Sequence, residues 1–197
     1  MHKLVIASNN PGKLREFQHM LAPLGIEVLT QAQLGIAEAE EPHGTFIENA
    51  LVKARHVSRL SGLPALADDS GICVEALNGA PGVLSARYAG DNPKSDANNN
   101  WKLLQVMQGV ADRRAHYYCV LVLLRHADDP QPLIAEGEWH GEIAQAERGD
   151  GGFGYDPLFW APQFGKMSAE LTRDEKAQIS HRAKALKVLL ERISIDE

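Results

Sequence analysis

The chain opens with an apolar block, Leu4-Val5-Ile6-Ala7, and then breaks into Ser8-Asn9-Asn10-Pro11-Gly12. A short apolar run bounded by turn residues predicts a buried strand followed by a loop. Leu14, Phe17, Leu21 and Leu24 then recur at helical spacing, with Pro23 and Gly25 marking the end of the helix. Ile26 to Leu29 reads as a second short strand. This β-loop-α-β opening favours an α/β fold.

An acidic, irregular stretch from Gln31 to Gly44 follows. Thr45-x-x-Glu48 then has the form of a capping box. The helix after it carries Ile47, Ala50, Leu51, Ala54 and Val57 on one face and ends near Gly62. Pro64-Ala65-Leu66-Ala67 predicts a strand that ends at Asp68-Asp69, with Ser70-Gly71 as a turn, and Ile72 to Leu77 predicts another strand. Asn78 to Gly82 is turn chemistry, and Leu103, Leu104, Val106 and Met107 lie in a helix stopped by Gly109.

His116 to His126 is the longest strand candidate. Tyr117 to Leu124 within it is nearly all apolar, which points to a central strand covered on both faces. Leu133 to Ile143 pairs back on it as an antiparallel partner, after the turn Asp128-Asp129-Pro130-Gln131-Pro132. A glycine-rich loop spans Gly149 to Pro157. Thr172-x-x-Glu175 caps a short helix, and a last helix runs from about Arg182 to Ile193. The expected architecture is α/β, a long curved mixed sheet flanked by helices, in a single domain over residues 1–197 with no internal repeat.

Composition narrows the partners. Twenty basic and 26 acidic residues give a formal net charge of −6, and no long basic block appears. A nucleic-acid duplex or a membrane surface needs clustered Lys and Arg, so neither is expected as a partner. No apolar run approaches membrane-spanning length, and the N-terminal apolar run is too short for a signal peptide. The two cysteines, Cys73 and Cys119, sit singly in strand-like runs, with no zinc spacing. They read as small buried hydrophobes, and a reducing, cytoplasmic location is the expectation.

Four places can carry chemistry. Ser8-Asn9-Asn10-Pro11-Gly12-Lys13 is a polar loop at a helix N-terminus, where exposed N–H groups hold anions; Lys13 is a cation placed against the helix dipole, which phosphate binding would explain. The Walker A spacing is absent. Glu40 and Glu41, with Asp68 and Asp69, form an acidic set from two segments that could share a hard cation such as Mg²⁺. Successive strand residues point to opposite faces, so one of Asp68 and Asp69 faces such a site directly. In the glycine-rich loop, Phe153 and Tyr155 offer flat faces that could stack on a base. Lys176 and Ser180-His181-Arg182 place cations near the start of the last helix, where they could read a carbonyl or phosphate. Each segment also has an ordinary structural reading as a turn, a solvated acidic loop or a helix cap. Together they have the chemistry of a nucleoside triphosphate site.

The residues resemble the inosine triphosphate pyrophosphatase family, whose bacterial branch comprises the XTP/dITP diphosphatases. The resemblance spans the chain: S-N-N-P-G-K from Ser8, E-E-P-H-G-T-F-I-E-N-A from Glu40, L-A-D-D-S-G from Leu66, G-A-P-G-V-L-S-A-R-Y-A-G from Gly79, G-G-F-G-Y-D-P from Gly151 and E-L-T-R-D-E-K-A-Q-I-S-H-R-A-K-A-L from Glu170. It implies two lobes with a substrate cleft between them, a homodimer, and Mg²⁺-dependent hydrolysis of dITP, ITP and XTP to monophosphate and pyrophosphate. By position, it implies that Ser8, Asn9, Asn10, Pro11, Gly12 and Lys13 hold the triphosphate. Asp69 would be the general base, and Glu40 and Asp69 the metal carboxylates, with Glu41 as the alternative to Glu40. Ser70, Phe153, Gly154, Tyr155, Asp156, Lys176, His181 and Arg182 would bind substrate, and Lys53 is a further phosphate candidate. The family usually opens T-G-N-x-x-K; here Ser8 keeps the hydroxyl and Asn9 replaces Gly. The competing classes are a nucleotide sensor that does not hydrolyse and a general phosphatase or pyrimidine-directed pyrophosphatase.

Overall fold

The computed structural model describes residues 3–195. Its strands are β1 (Lys3–Ile6), β2 (Glu27–Thr30), β3 (Ala65–Val74), β4 (Arg114–Leu124), β5 (Leu133–Ile143), β6 (Phe159–Ala161) and β7 (Lys166–Met167). Its helices are α1 (Pro11–Leu21), α2 (Phe46–Ser61), α3 (Asp96–Val106), α4 (Arg173–Ile179) and α5 (His181–Ile195). The strands make one open sheet in the order β2-β1-β3-β4-β5-β6-β7. β1 is parallel to both β2 and β3, while β5-β6 and β6-β7 are antiparallel, so the sheet is mixed as expected.

One element departs from the expectation in a way that matters. Asp68-Asp69-Ser70-Gly71 is not the end of a strand and a turn but the middle of β3, which runs unbroken from Ala65 to Val74. Turn propensity is overridden because both carboxylates are paired with cations delivered by helices. The predicted strand from Ile72 to Leu77 stops at Val74, and Glu75–Leu77 forms a 3₁₀ turn ending at Asn78 with φ of 52°. The two short strands β6 and β7 went unpredicted, since two or three residues carry no readable period.

The chain divides into two compact units. The first comprises Met1–Asp69, Cys119–Gly137 and Arg182–Glu197, as far as these are described. Its core gathers Leu4, Ile6, Phe17, Leu66, Leu121 and Leu186, all nearly inaccessible to solvent. Burying each such side chain contributes about 1.5–3 kcal/mol. α2 shows how the sequence builds the local scaffold. Thr45 accepts from the Glu48 N–H and donates to its carboxylate at 2.5 Å, while Gly62, at φ of 69°, donates its N–H to Ser58 and ends the helix. The buried face of α2 includes Ala50, Lys53, Ala54 and Val57 at helical spacing, flanked by the buried polar residues Asn49 and Ser58.

The second unit comprises Ser70–Tyr118 and Glu138–His181. Its core holds Ile72, Leu103, Tyr117, Trp139, Leu158 and Phe159. Trp139 meets Phe159 edge-on, with ring centroids 4.9 Å apart. Such aromatic pairs add about 0.5–1.5 kcal/mol beyond area burial.

Candidate functional site

In the first unit, the consecutive residues Asp68 and Asp69 lie on opposite faces of β3 and meet different helices. Asp68 has a fully buried side chain. Its Oδ2 accepts from Arg182 Nε of α5 and from the Cys119 thiol of β4, each at 3.1 Å, and its Oδ1 is ion-paired with Lys13 of α1. Arg182 also pairs with Glu16 of α1. Burial alone would push the Asp68 carboxyl up, but Arg182, Lys13 and Lys53 outweigh it and hold the group well below the usual carboxylate range. Burial and the Asp68 charge push Cys119 well above the usual thiol range, so it stays protonated and acts as a donor.

Asp69 faces α2. Its Oδ1 accepts from Lys53 Nζ at 3.0 Å, and the same ammonium lies 2.8 Å from Glu41 Oε1. Burial would lower the Lys53 pKa, yet Asp69, Glu41 and Asp68 raise it overall. Burial raises the Asp69 pKa against the pull of Lys53 and Lys13, with Glu41 adding to the rise. Asp69 Oδ2 is buried and accepts no hydrogen bond. Glu16, Glu41, Asp68 and Asp69 thus set four carboxylates against the three cations Lys13, Lys53 and Arg182. The buried Asp69 oxygen that lacks a donor suits a further cation or a water that gives up a proton. Among the described residues no group of three or more His, Cys, Asp or Glu is placed to hold a metal ion. The structure brings two carboxylates together here, Asp69 and Glu41. Glu40 is exposed, and the half-buried Glu41 takes the place beside Lys53 that the sequence left open between them.

The Ser8–Lys13 loop is closed on itself. The Asn10 N–H donates to Ser8 Oγ at 3.1 Å, and Asn10 Oδ1 caps α1 by accepting from the Gly12 and Lys13 N–H groups at 2.9 and 3.1 Å. Pro11 opens the helix, Gly12 is buried, and the replaced position, Asn9, is exposed. An anion at this helix end would exchange with the Asn10 side chain.

In the second unit, Asp156 is the organising residue. Its Oδ2 accepts from Lys176 Nζ of α4 at 2.6 Å and from the Phe153 N–H at 3.0 Å. Its Oδ1 accepts from Ser168 Oγ at 2.8 Å and from the Tyr117 hydroxyl at 3.2 Å. The Lys176 ammonium sits 5.1 Å from the centre of the Phe153 ring, within cation–π range. The glycines of the loop are dictated by this packing. Gly152 has φ of 73°, and a Cβ there would lie 2.1 Å from Asp156 Oδ2; a Cβ on Gly151 would lie 2.6 Å from the Ala169 carbonyl oxygen. α3 ties the loop down: Asp96 accepts from the Gly154 N–H at 2.8 Å, and Asn100 donates to the Gly154 carbonyl at 3.1 Å.

The two loop aromatics part company. Phe153 is half-buried, whereas Tyr155 is buried and donates to the Ser85 carbonyl at 2.6 Å, so Tyr155 anchors the loop instead of offering a face. Ser70 lies half-buried in β3, directly after Asp69. His181, buried at the start of α5, stacks on Tyr117 with centroids 4.8 Å apart and planes 11° from parallel. Arg182 is only 1% exposed. Sequence reasoning missed Glu16, Cys119, Tyr117 and Ser168. Glu16 had a signal, one helical turn after Lys13 on the same face; the other three sit in apolar or mixed runs and had none.

Comparison with known proteins gives this arrangement its family. Residues 4–192 match the model of the Ham1 family. The chain is 65% identical to a dITP/XTP pyrophosphatase of Ralstonia nicotianae, covering 100% of this chain and 99% of that one, and 62% identical to a dITP/XTP pyrophosphatase of Nitrosomonas europaea, covering 100% and 97%. Among solved structures it is similar to a HAM1 protein from Coxiella burnetii, with a TM-score of 0.89 at 46% identity, covering 98% of this chain and 99% of that one. The Staphylococcus aureus Ham1 protein is similar with a TM-score of 0.86 at 39% identity, covering 99% and 100%. Motif order, fold and full-length identity agree, and the chain belongs to the Ham1 family.

Proposed function

We propose that this protein hydrolyses non-standard purine nucleoside triphosphates, namely dITP, ITP and XTP, to the monophosphate and pyrophosphate, with Mg²⁺ as cofactor. The observation that carries the reading is the buried Asp69, with one oxygen on Lys53 and the other without a donor, in a chain closely similar to proteins named dITP/XTP pyrophosphatase.

The residues fit a divalent cation. Asp69 and Glu41 would hold it, since Mg²⁺ takes one or two carboxylates and completes its shell with water and phosphate oxygens. When bound it would supply charge neutralisation on the phosphates. The protein's own groups account for the rest. Asp69 Oδ2 accepts from a water and takes its proton as the water oxygen bonds to the α-phosphorus. The bond from that phosphorus to the bridging oxygen breaks, and pyrophosphate leaves with the electron pair. In the metal-free protein, burial raises the Asp69 pKa against the pull of Lys53 and Lys13. Lys53 and Lys13 offset negative charge on the phosphates, beside the hydroxyl of Ser8 and the loop through Asn9, Asn10, Pro11 and Gly12.

The second unit supplies the chemistry for a base. Phe153 offers a ring for stacking, and Lys176 and His181 are donors suited to a 6-keto group. Adenine carries an amino donor at that position, and donor facing donor is strongly rejected. Arg182 is committed to buried ion pairs with Asp68 and Glu16. The subunits are proposed to pair as homodimers. Product identity tests the reaction: pyrophosphate from dITP supports it, and orthophosphate would place the chain among general phosphatases.

A further inference from the structure

Tyr117 does two things with one side chain. Its ring lies nearly parallel to His181 at 4.8 Å and packs against Phe159 at 4.6 Å. Its hydroxyl donates to Asp156 Oδ1 at 3.2 Å, and the other oxygen of that carboxylate holds Lys176 and the Phe153 N–H. The residue is 7% exposed, so it is a buried support and not a surface that a ligand covers. A buried hydroxyl among aromatic rings is costly unless it is bonded, so the ring position and the Asp156 bond specify each other.

The consequence is mechanical. The groups proposed to recognise a base are the Phe153 ring, the Lys176 ammonium and the His181 imidazole. Lys176 and Phe153 are oriented by Asp156, and His181 by the stack. Tyr117 joins the two sets, so a shift of its ring moves His181 while loss of its hydroxyl loosens Asp156. Ser168 also donates to Asp156 Oδ1, at 2.8 Å, so without the tyrosine hydroxyl the carboxylate keeps one side-chain donor on that oxygen but loses its tie to the His181 stack.

We propose that Tyr117 is a positioning residue for purine selectivity, holding His181 through its ring and the Asp156–Lys176 pair through its hydroxyl in one rigid assembly. The proposal rests on the functional reading above. It assigns Tyr117 no contact with the substrate and no part in the chemistry at Asp69.

Tyr117→Phe tests it, because the ring and its stack remain and only the hydroxyl goes. The hydroxyl is bonded in the free protein as well, so only the loss of preorganisation reaches binding, and a rise of several-fold, at most about tenfold, in KM for dITP is expected. kcat should stay within about twofold of wild type, the signature of lost uniform binding. The preference for dITP over dATP, measured as the ratio of kcat/KM values, should fall by a similar factor. Tyr117→Leu removes the stack as well, and in protein confirmed folded by its melting transition the preference should fall further. Unchanged KM and preference in Tyr117→Phe would overturn the proposal, even if the variant melts lower, since that describes a purely structural side chain. A fall in kcat with KM unchanged would overturn it too. Wild-type protein that neither binds nor hydrolyses dITP would overturn the functional reading and this proposal with it, whereas wild-type turnover beside an unaffected Tyr117→Phe overturns the proposal alone.

Discussion

Replacing Arg182 by Met isolates the value of a buried charge network. The arginine is 1% exposed, its Nε donates to Asp68 Oδ2 at 3.1 Å, and it is also ion-paired with Glu16. Methionine keeps a flexible apolar stem against Phe17, whose ring centre lies 5.7 Å from the guanidinium carbon, so cavity formation adds little. What is lost is the countercharge of a carboxylate that has no access to water. Removing one partner of a buried pair costs about 3–5 kcal/mol. Asp68 retains Lys13 and the Cys119 thiol, which puts the expected loss at the lower end, about 3 kcal/mol. For a chain of this length each kcal/mol shifts Tm by about 2–4 °C, so a fall of about 6–12 °C is expected. Urea unfolding followed by circular dichroism should show the same loss as a lower midpoint at unchanged slope. Adding Asp68→Asn to the methionine variant should recover part of the stability, with a coupling above about 1 kcal/mol in the double-mutant cycle. A loss below about 1 kcal/mol, or no coupling between the two positions, would refute the view that Arg182 and Asp68 form a buried structural pair.

Two other perturbations address chemistry and pH. Asp69→Asn keeps the shape and the contact with Lys53 but cannot take a proton; turnover of dITP should fall by a factor of about 10²–10⁴ while the unfolding transition stays intact, and near-normal turnover would remove Asp69 from its role as base. Asp129 is buried and accepts from the backbone N–H groups of Arg125 and Gln131 and from the Arg125 guanidinium, and the Arg125 bonds lower its pKa despite burial. A carboxyl with a depressed folded value contributes stability above its unfolded value of about 3.9 and loses it as pH falls toward the folded value. Asp129→Ala should therefore cost about 1–2 kcal/mol at neutral pH, discounted because the Arg125 guanidinium is largely exposed, and the gap to wild type should narrow below about pH 4. A gap independent of pH would show that the carboxylate charge is not what matters.

The fold was legible where hydrophobic period and punctuation agreed. α2 carries its apolar stripe, cap and terminating glycine in the sequence, whereas α1 carries its stripe but stops at Leu21, short of the expected end, with Gly25 closing a separate 3₁₀ turn; the apolar run of β4 announced a central strand. The middle of β3 was not legible, because Asp-Asp-Ser-Gly is turn chemistry by local propensity. The tertiary cations Lys13, Lys53 and Arg182 offset the burial of the two carboxylates in that strand. Lys53 was half legible: a lysine on the apolar stripe of a helix must find a carboxylate, but its spacing does not say which. Glu40 and Glu41 could not be ranked from sequence, since neighbours in an irregular segment have no face. Tyr155 differs from the expected stacking surface because its hydroxyl bonds the Ser85 carbonyl and its ring is buried, partners that local sequence does not reveal. Cys119 and Tyr117 read as core and are core, yet each also donates to a buried carboxylate, a role that only register across the sheet reveals.

Pyrophosphate release from dITP and from dATP, each with and without Mg²⁺, tests the proposed activity most directly. The expected result is metal-dependent release from dITP with little from dATP, as required by a base at Asp69, carboxylates suited to a divalent cation and donors suited to a keto group. Equal release from both nucleotides would contradict the reading of the base, and no release from dITP at any metal concentration would contradict the assignment of Asp69 as a hydrolytic base.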